Sequence, residues 1–227
     1  MTSHGLLIYP NFKCPSFNGL LQQFKQEIKS KNKLKKYMAL IRRLAYNLGY
    51  DKQKLLDFQN LLLWKAYDTL KVQEIHKHSL PKWADKRTMQ QVKSLLEYLI
   101  NAAFGGPLKN EKSKLQGGIL VKHILETMIN TTNCNKGLKM IMYSAHDMTI
   151  IALQTALGVS NQLLIPYAAT HIFELYEEDN GSYTIEMYYR NNTAVEPHML
   201  TLPGCSKACP LEKFQNLVTP ILPTKEC

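Results

Sequence analysis

The residues best placed to do chemistry are the adjacent pair His146 and Asp147. Residues 140–143 before them form a short apolar run of the length a buried strand prefers. After them Ile150, Ile151, Leu153 and Leu157 recur near helical spacing, so a helix is expected. A strand–His–Asp–helix junction sits where open α/β sheets bind ligands, at the carboxyl end of a strand. The helix amino terminus offers N–H groups and a positive dipole end to an anion. An imidazole beside a carboxyl group can then hold a phosphate and hand over a proton. The same pair also fits a hydrogen-bonded interior histidine followed by an ordinary helix N-cap.

Other reactive side chains are scattered. Cys205 and Cys209, in Pro-Gly-Cys-Ser-Lys-Ala-Cys-Pro, have zinc-like spacing, but no second pair completes four ligands, and a short-range disulfide is the better assignment. His76 and His78 can chelate a metal only with a third ligand, and none is near in sequence, so no metal or cofactor is expected. His4, flanked by Gly5, has neither a strand leading into it nor an arginine beside it, and reads as incidental. His123 reads as a surface or packing histidine on a helix. Asn130-Thr-Thr, Asn180-Gly-Ser and Asn191-Asn-Thr are glycosylation sequons, a secretory feature. Met1-Thr-Ser-His-Gly nevertheless lacks the basic-then-apolar pattern of a signal peptide, so the amino terminus need not be the natural one.

These groups must be positioned by an ordinary globular chain. Of 227 residues 45% are apolar and 20% charged, which excludes a disordered polymer and allows one large domain or two small ones. The net charge of +10 draws heavily on an early run that includes Lys35, Lys36, Arg42 and Arg43. No nucleic-acid motif accompanies the run, so it reads as a solvated helix face and no nucleic-acid partner is expected. No apolar stretch is long enough to span a bilayer.

Helical stripes follow an extended, proline-broken lead-in. Phe17, Leu20, Leu21, Phe24 and Ile28 form one, Leu34, Tyr37, Met38, Ile41 and Leu44 a second, and Leu55, Phe58, Leu61, Leu62 and Ala66 a third. Another helix runs from about Thr88 to the Gly105-Gly106-Pro107 stop. Gly117-Gly118 lets the next helix start close to a neighbour and is not a phosphate-loop fingerprint. Residues 170–178 and 183–190 alternate as strands around Asp179-Asn180-Gly181, a hairpin pattern. An amphipathic segment from Leu211 closes the chain, and no internal repeat is present.

Six separated motifs then occur in one order: Ser113-Lys-Leu-Gln-Gly-Gly, Met142-Tyr-Ser-Ala-His-Asp, Pro166-Tyr-Ala, His171-Ile-Phe-Glu-Leu-Tyr, Glu186-Met-Tyr-Tyr-Arg-Asn and Leu202-Pro-Gly-Cys…Cys-Pro-Leu. From about Leu6 to Cys227 the chain resembles the histidine acid phosphatases, and within them the prostatic and lysosomal branch. The resemblance implies an α/β fold: a partial three-layer, phosphoglycerate-mutase-like domain with a helical subdomain. The expected division is an extended lead-in over 1–16, the helical subdomain over 17–110 and the carboxyl-terminal part of the catalytic domain over 111–227. The sheet is expected to hold both the strand before His146 and the hairpin.

The resemblance also implies roles. In that family a histidine of an Arg-His-Gly motif attacks a phosphomonoester and becomes phosphohistidine, arginines neutralise the phosphoryl oxygens, and the aspartate of a His-Asp pair protonates the leaving oxygen. His146 matches the phosphate-contacting histidine and Asp147 the proton donor; Met148 stands where close relatives usually have threonine. No Arg-His-Gly occurs in these residues, so little or no acid phosphatase activity is expected of the chain alone. By resemblance Cys14 pairs with Cys227 and Cys205 with Cys209. A further bridge of the branch is absent, its two positions being Val72 and Thr170, and Cys134 has no assigned partner. The implied partners are small phosphomonoesters or phosphoproteins, with a homodimer as relatives suggest, and the implied location is lysosomal or secreted. Two readings stand: an acid phosphatase represented here by its carboxyl-terminal portion, and a non-catalytic homologue binding a partner or phosphorylated ligand through the His146 pocket.

Overall fold

The computed structural model describes residues 14–30, 34–57, 61–133 and 139–224. The chain divides into two compact units, one of residues 21–103 and one of residues 1–20 with 104–227.

The first unit is helical. Helix α1 (Pro15–Ser30) enters it, and after a 3-10 turn at Lys35–Tyr37 come α2 (Met38–Leu48), the short α3 (Lys52–Leu55), α4 (Leu62–Ile75) and α5 (Lys86–Phe104). Of the second stripe read from the sequence, Ile41 and Leu44 of α2 are buried and Leu34, Tyr37 and Met38 half-buried, while Leu40, outside that stripe, is buried as well. Gly49 ends that helix in the left-handed conformation (φ 69°), where a side chain on Cβ would be strained. The third stripe is broken rather than continuous. Asp51 caps α3 through the Gln53 N–H at 2.7 Å, and Leu61 takes a left-handed φ of 51° before α4 begins. An apolar period carries no information about such an interruption. Phe58 lies outside the described residues.

The other unit combines helices with a sheet. It contains α6 (Lys109–Leu115), α7 (Gly117–Asn133), α8 (Asp147–Leu157) and α9 (Leu211–Val218). Strands β1 (Thr170–Glu177) and β2 (Tyr183–Arg190) form the expected antiparallel hairpin, in register from Thr170 opposite Arg190 to Glu177 opposite Tyr183. Its turn is closed by the Glu178 N–H to the Ser182 carbonyl at 2.8 Å, with Gly181 at φ 76°. β3 (His198–Leu200) and β4 (Cys209–Pro210) both pair antiparallel with β2. One core joins these elements: Leu120, Val121 and Leu125 of α7, Leu153 and Leu157 of α8, Ile185 and Met187 of β2, and Phe214 and Val218 of α9. At the start of the unit Phe17 packs on Phe104, ring centroids 6.2 Å apart.

One expected element is missing. Residues 140–143 form no strand, and they take no part in the sheet, which holds only the hairpin, β3 and β4 among the described residues. Met140, Ile141 and Met142 are 71%, 41% and 79% exposed, the reverse of a buried strand. The reason is that a strand is completed by a neighbour's main-chain hydrogen bonds, and no described segment lies alongside to supply them.

Candidate functional site

His146 has the extended backbone of an N-cap (φ −106°, ψ 161°), and α8 starts at Asp147. The His146 N–H donates to Thr149 Oγ1 at 3.4 Å, and the Thr149 and Ile150 N–H groups donate back to the His146 carbonyl at 3.0 and 3.3 Å. The Asp147 carboxylate accepts the Met148 N–H at 2.6 Å. Thus the helix end expected to face an anion already gives the Met148 and Thr149 donors to internal acceptors. His146 is exposed and Asp147 half-buried, so the interior-histidine alternative fails, while the pair does occupy a helix cap. Two charged or polar groups at the open end of an 11-residue helix can meet a solvent-borne anion and exchange protons with it.

What fixes this helix end is packing behind it. α8 is buried along residues 151–157, and α7 crosses it so closely that a Cβ added at Gly117 would lie 2.1 Å from the Ala152 carbonyl oxygen. A Cβ on Gly118 would lie 2.0 Å from the Ile221 carbonyl oxygen. The Gly-Gly pair therefore serves close packing, as its position at a helix start implied. On the approach to the site His123 of α7 meets Tyr143 edge-on, centroids 5.8 Å apart.

The other sequence-predicted residues are dispersed. Cys205 and Cys209 form a disulfide, Cα atoms 5.6 Å apart. Cys14 is buried near Phe17, whose N–H donates to its sulfur at 3.3 Å, while Cys227, Cys134 and His4 lie outside the described residues. Asn130 is exposed on α7, Asn180 exposed in the hairpin turn with its Oδ1 accepting the Ser182 N–H at 2.9 Å, and Asn191 half-buried after β2. His76 and His78 are exposed at the end of α4, and among the described residues no group of three metal-ligating side chains forms. Among the described residues no helix is long and apolar enough to cross a membrane.

Residues 3–190 match the histidine phosphatase superfamily (branch 2). The chain belongs to that family. Prostatic acid phosphatase of Rattus norvegicus is 43% identical over 219 residues, covering 96% of this chain and 56% of the relative. Lysosomal acid phosphatase of Xenopus laevis is 40% identical over 218 residues, covering 96% and 49%. That of Homo sapiens is 36% identical over 223 residues, covering 98% and 52%. The chain thus spans about half the length of the curated relatives it matches. Within this histidine phosphatase fold the helices and the small antiparallel sheet make an α/β architecture.

Two further polar features of this family member emerge only in three dimensions. On β1, the His171 ring lies 4.6 Å from Phe173 and both its nitrogens are buried without a hydrogen-bond partner among the described residues. Burial lowers its pKa from 6.5 to about 4. The period of two that places 171, 173 and 175 on one strand face, together with Phe173 and Leu175 as core residues, was the available signal. In the helical unit Lys36, Arg43 and Arg87 share a cleft of about 470 Å³ with Asp85, Thr88 and Gln91. Arg43 Nη2 donates to Thr88 Oγ1 at 2.7 Å, and the Thr88 N–H donates to Asp85, holding that carboxyl below its ordinary pKa.

Proposed function

We propose that these residues form the carboxyl-terminal portion of a phosphomonoester hydrolase of the acid phosphatase type, in which His146 contacts the phosphoryl group and Asp147 protonates the leaving oxygen. The observation that carries the reading is the His146–Asp147 pair at the head of α8 in a member of the histidine phosphatase superfamily. The chemistry is coherent. A carboxyl proton donor suits acid conditions, in which it carries its proton. Donors held by a rigid helix stabilise charge developing on a phosphoryl group without reorganising. Small phosphomonoesters or phosphoproteins are the substrate class, and a lysosomal or secreted location follows the relatives' names.

Residues 1–227 by themselves are inactive in this proposal, since a proton donor without a nucleophile leaves the phosphorus–oxygen bond intact. The exposure of His146 favours a second reading, that the pair binds a partner or phosphorylated ligand without turnover. Hydrolysis of an aryl phosphate at acid pH by the purified chain, with Asp147→Asn beside it, tests the proposal. The expected rates are equal and at background. Turnover abolished by Asp147→Asn would show that another residue, His171 or His4 first, supplies the nucleophile.

A further inference from the structure

Charge is divided unequally between the two units. Residues 21–103 hold 17 lysines and arginines against 7 aspartates and glutamates, whereas the other 144 residues hold 11 of each kind. The net +10 of the chain is therefore the charge of the helical unit alone. Folding gathers part of it into the cleft of about 470 Å³, a volume within the range of small-molecule sites. Lys36 of the 3-10 turn, Arg43 of α2 and Arg87 of α5 line it against one carboxylate, Asp85, so the lining carries a net +2.

That carboxylate is already engaged, since it accepts the Thr88 N–H at 2.7 Å. Arg43 Nη2 donates to Thr88 Oγ1 at 2.7 Å, which fixes one guanidinium and leaves its other N–H groups to donate elsewhere. Lys36 and Arg87 make no hydrogen bond or ion pair among the described residues; the Lys36 ammonium lies 4.8 Å from the Tyr37 ring centroid. All three cations are exposed.

We propose that this cleft is an anion-binding site whose ligand is a sulfated polysaccharide, with sulfate groups paired to Lys36, Arg43 and Arg87. Four observations select that ligand. A single phosphoryl group could balance the cleft but would leave most of the unit's excess charge unneutralised, so a polyanion gains more here than a compact ion. Nucleic acid bases find no platform, because Tyr37 carries Lys36 against its ring, lies 6.2 Å from Tyr98 and donates its hydroxyl to the Ser94 carbonyl at 3.4 Å. A membrane finds no anchor, because the aliphatic lining is the small Ala39 and the buried Leu40. Gln91, exposed on α5, offers the neutral donor and acceptor that sugar hydroxyls need, and the arginine forks suit planar pairs of sulfate oxygens.

The inference does not rest on the proposed function, because the cleft and His146 belong to different units, and the assay reads no turnover. Calorimetric titration of 1–227 with a heparin decasaccharide should show saturable binding that weakens as salt rises to about 0.15 M. Lys36→Gln with Arg87→Gln removes two cations that hold no hydrogen bond among the described residues, and should weaken binding at least tenfold with the thermal midpoint kept. Lys65→Gln with Lys82→Gln removes the same charge from exposed positions of the unit that do not line the cleft, and should weaken binding by no more than about twofold. Equal losses in the two double variants would mean diffuse attraction without a site and would overturn the proposal, as would absence of saturable binding at low salt. Tighter binding of single-stranded DNA of equal charge, of phosphatidylserine vesicles or of inorganic phosphate would overturn the choice of ligand.

Discussion

Burial holds the His171 imidazole neutral, its pKa lowered from 6.5 to about 4, with no hydrogen bond among the described residues to compensate either nitrogen. Across the sheet it is in register with Tyr189, and Tyr189 with His198, so the residues beside it on that row are a buried phenol and a second imidazole. The sign of the linkage follows. Between about pH 6.5 and 4 the unfolded chain binds a proton at this position that the folded chain does not, so stability falls as the pH falls through that window. The full effect of such a shift is on the order of 3 kcal/mol, lost progressively and complete near pH 4. His171→Phe should remove this contribution while filling similar space beside Phe173. Urea unfolding of both chains at pH 7.5 and pH 4.5 checks it: the wild type should lose more stability than the variant, and equal losses would mean His171 finds a proton partner. The contrast with His146 is instructive. One histidine is inside and the other outside, although the sequence places each beside apolar residues.

At the scale of elements, glycine gives the sharpest test. The α7–α8 contact depends on the absence of a side chain at Gly117, where Cβ would sit 2.1 Å from the Ala152 carbonyl oxygen. Backbone cannot move aside as a flexible side chain can, so Gly117→Ala should destabilise by about 3 kcal/mol or more. Gly19, inside α1, has nothing within 4 Å of an added Cβ, and Gly19→Ala should stabilise by about 0.5–1 kcal/mol through helix propensity. Opposite shifts in the thermal midpoints are expected; a harmless Gly117→Ala would mean that the two helices are not packed this closely. The same elements explain what the sequence disclosed. Helical stripes and the hairpin were legible because 3.6-residue and two-residue periods are local, and Asp179-Asn180-Gly181 is local turn chemistry. The strand at residues 140–143 was misread because its completion depends on hydrogen bonds from another segment. The His146–Asp147 pair was legible by motif, but its exposure was not. The Arg43–Asp85 cleft joins residues far apart in sequence and had no linear signal.

For the whole molecule, the exposed run at residues 140–143 and the charge of +10 act against each other. An open apolar edge promotes association between chains, whereas like net charge keeps them apart, and salt screens only the second. Aggregation should therefore accelerate between low salt and about 0.15 M, where the Debye length falls to about 8 Å. Met140→Lys with Met142→Lys removes the apolar edge and raises the net charge from +10 to +12 by two added positive charges. Because neither methionine is packed in the core, the urea midpoint should change by no more than about 0.5 kcal/mol in stability. Light scattering at both salt concentrations should show the variant remaining dispersed where the wild type associates. A large loss of stability would mean that the methionines are buried in solution, and unchanged association would place the sticky surface elsewhere, with the outer edge of β1 the next place to look.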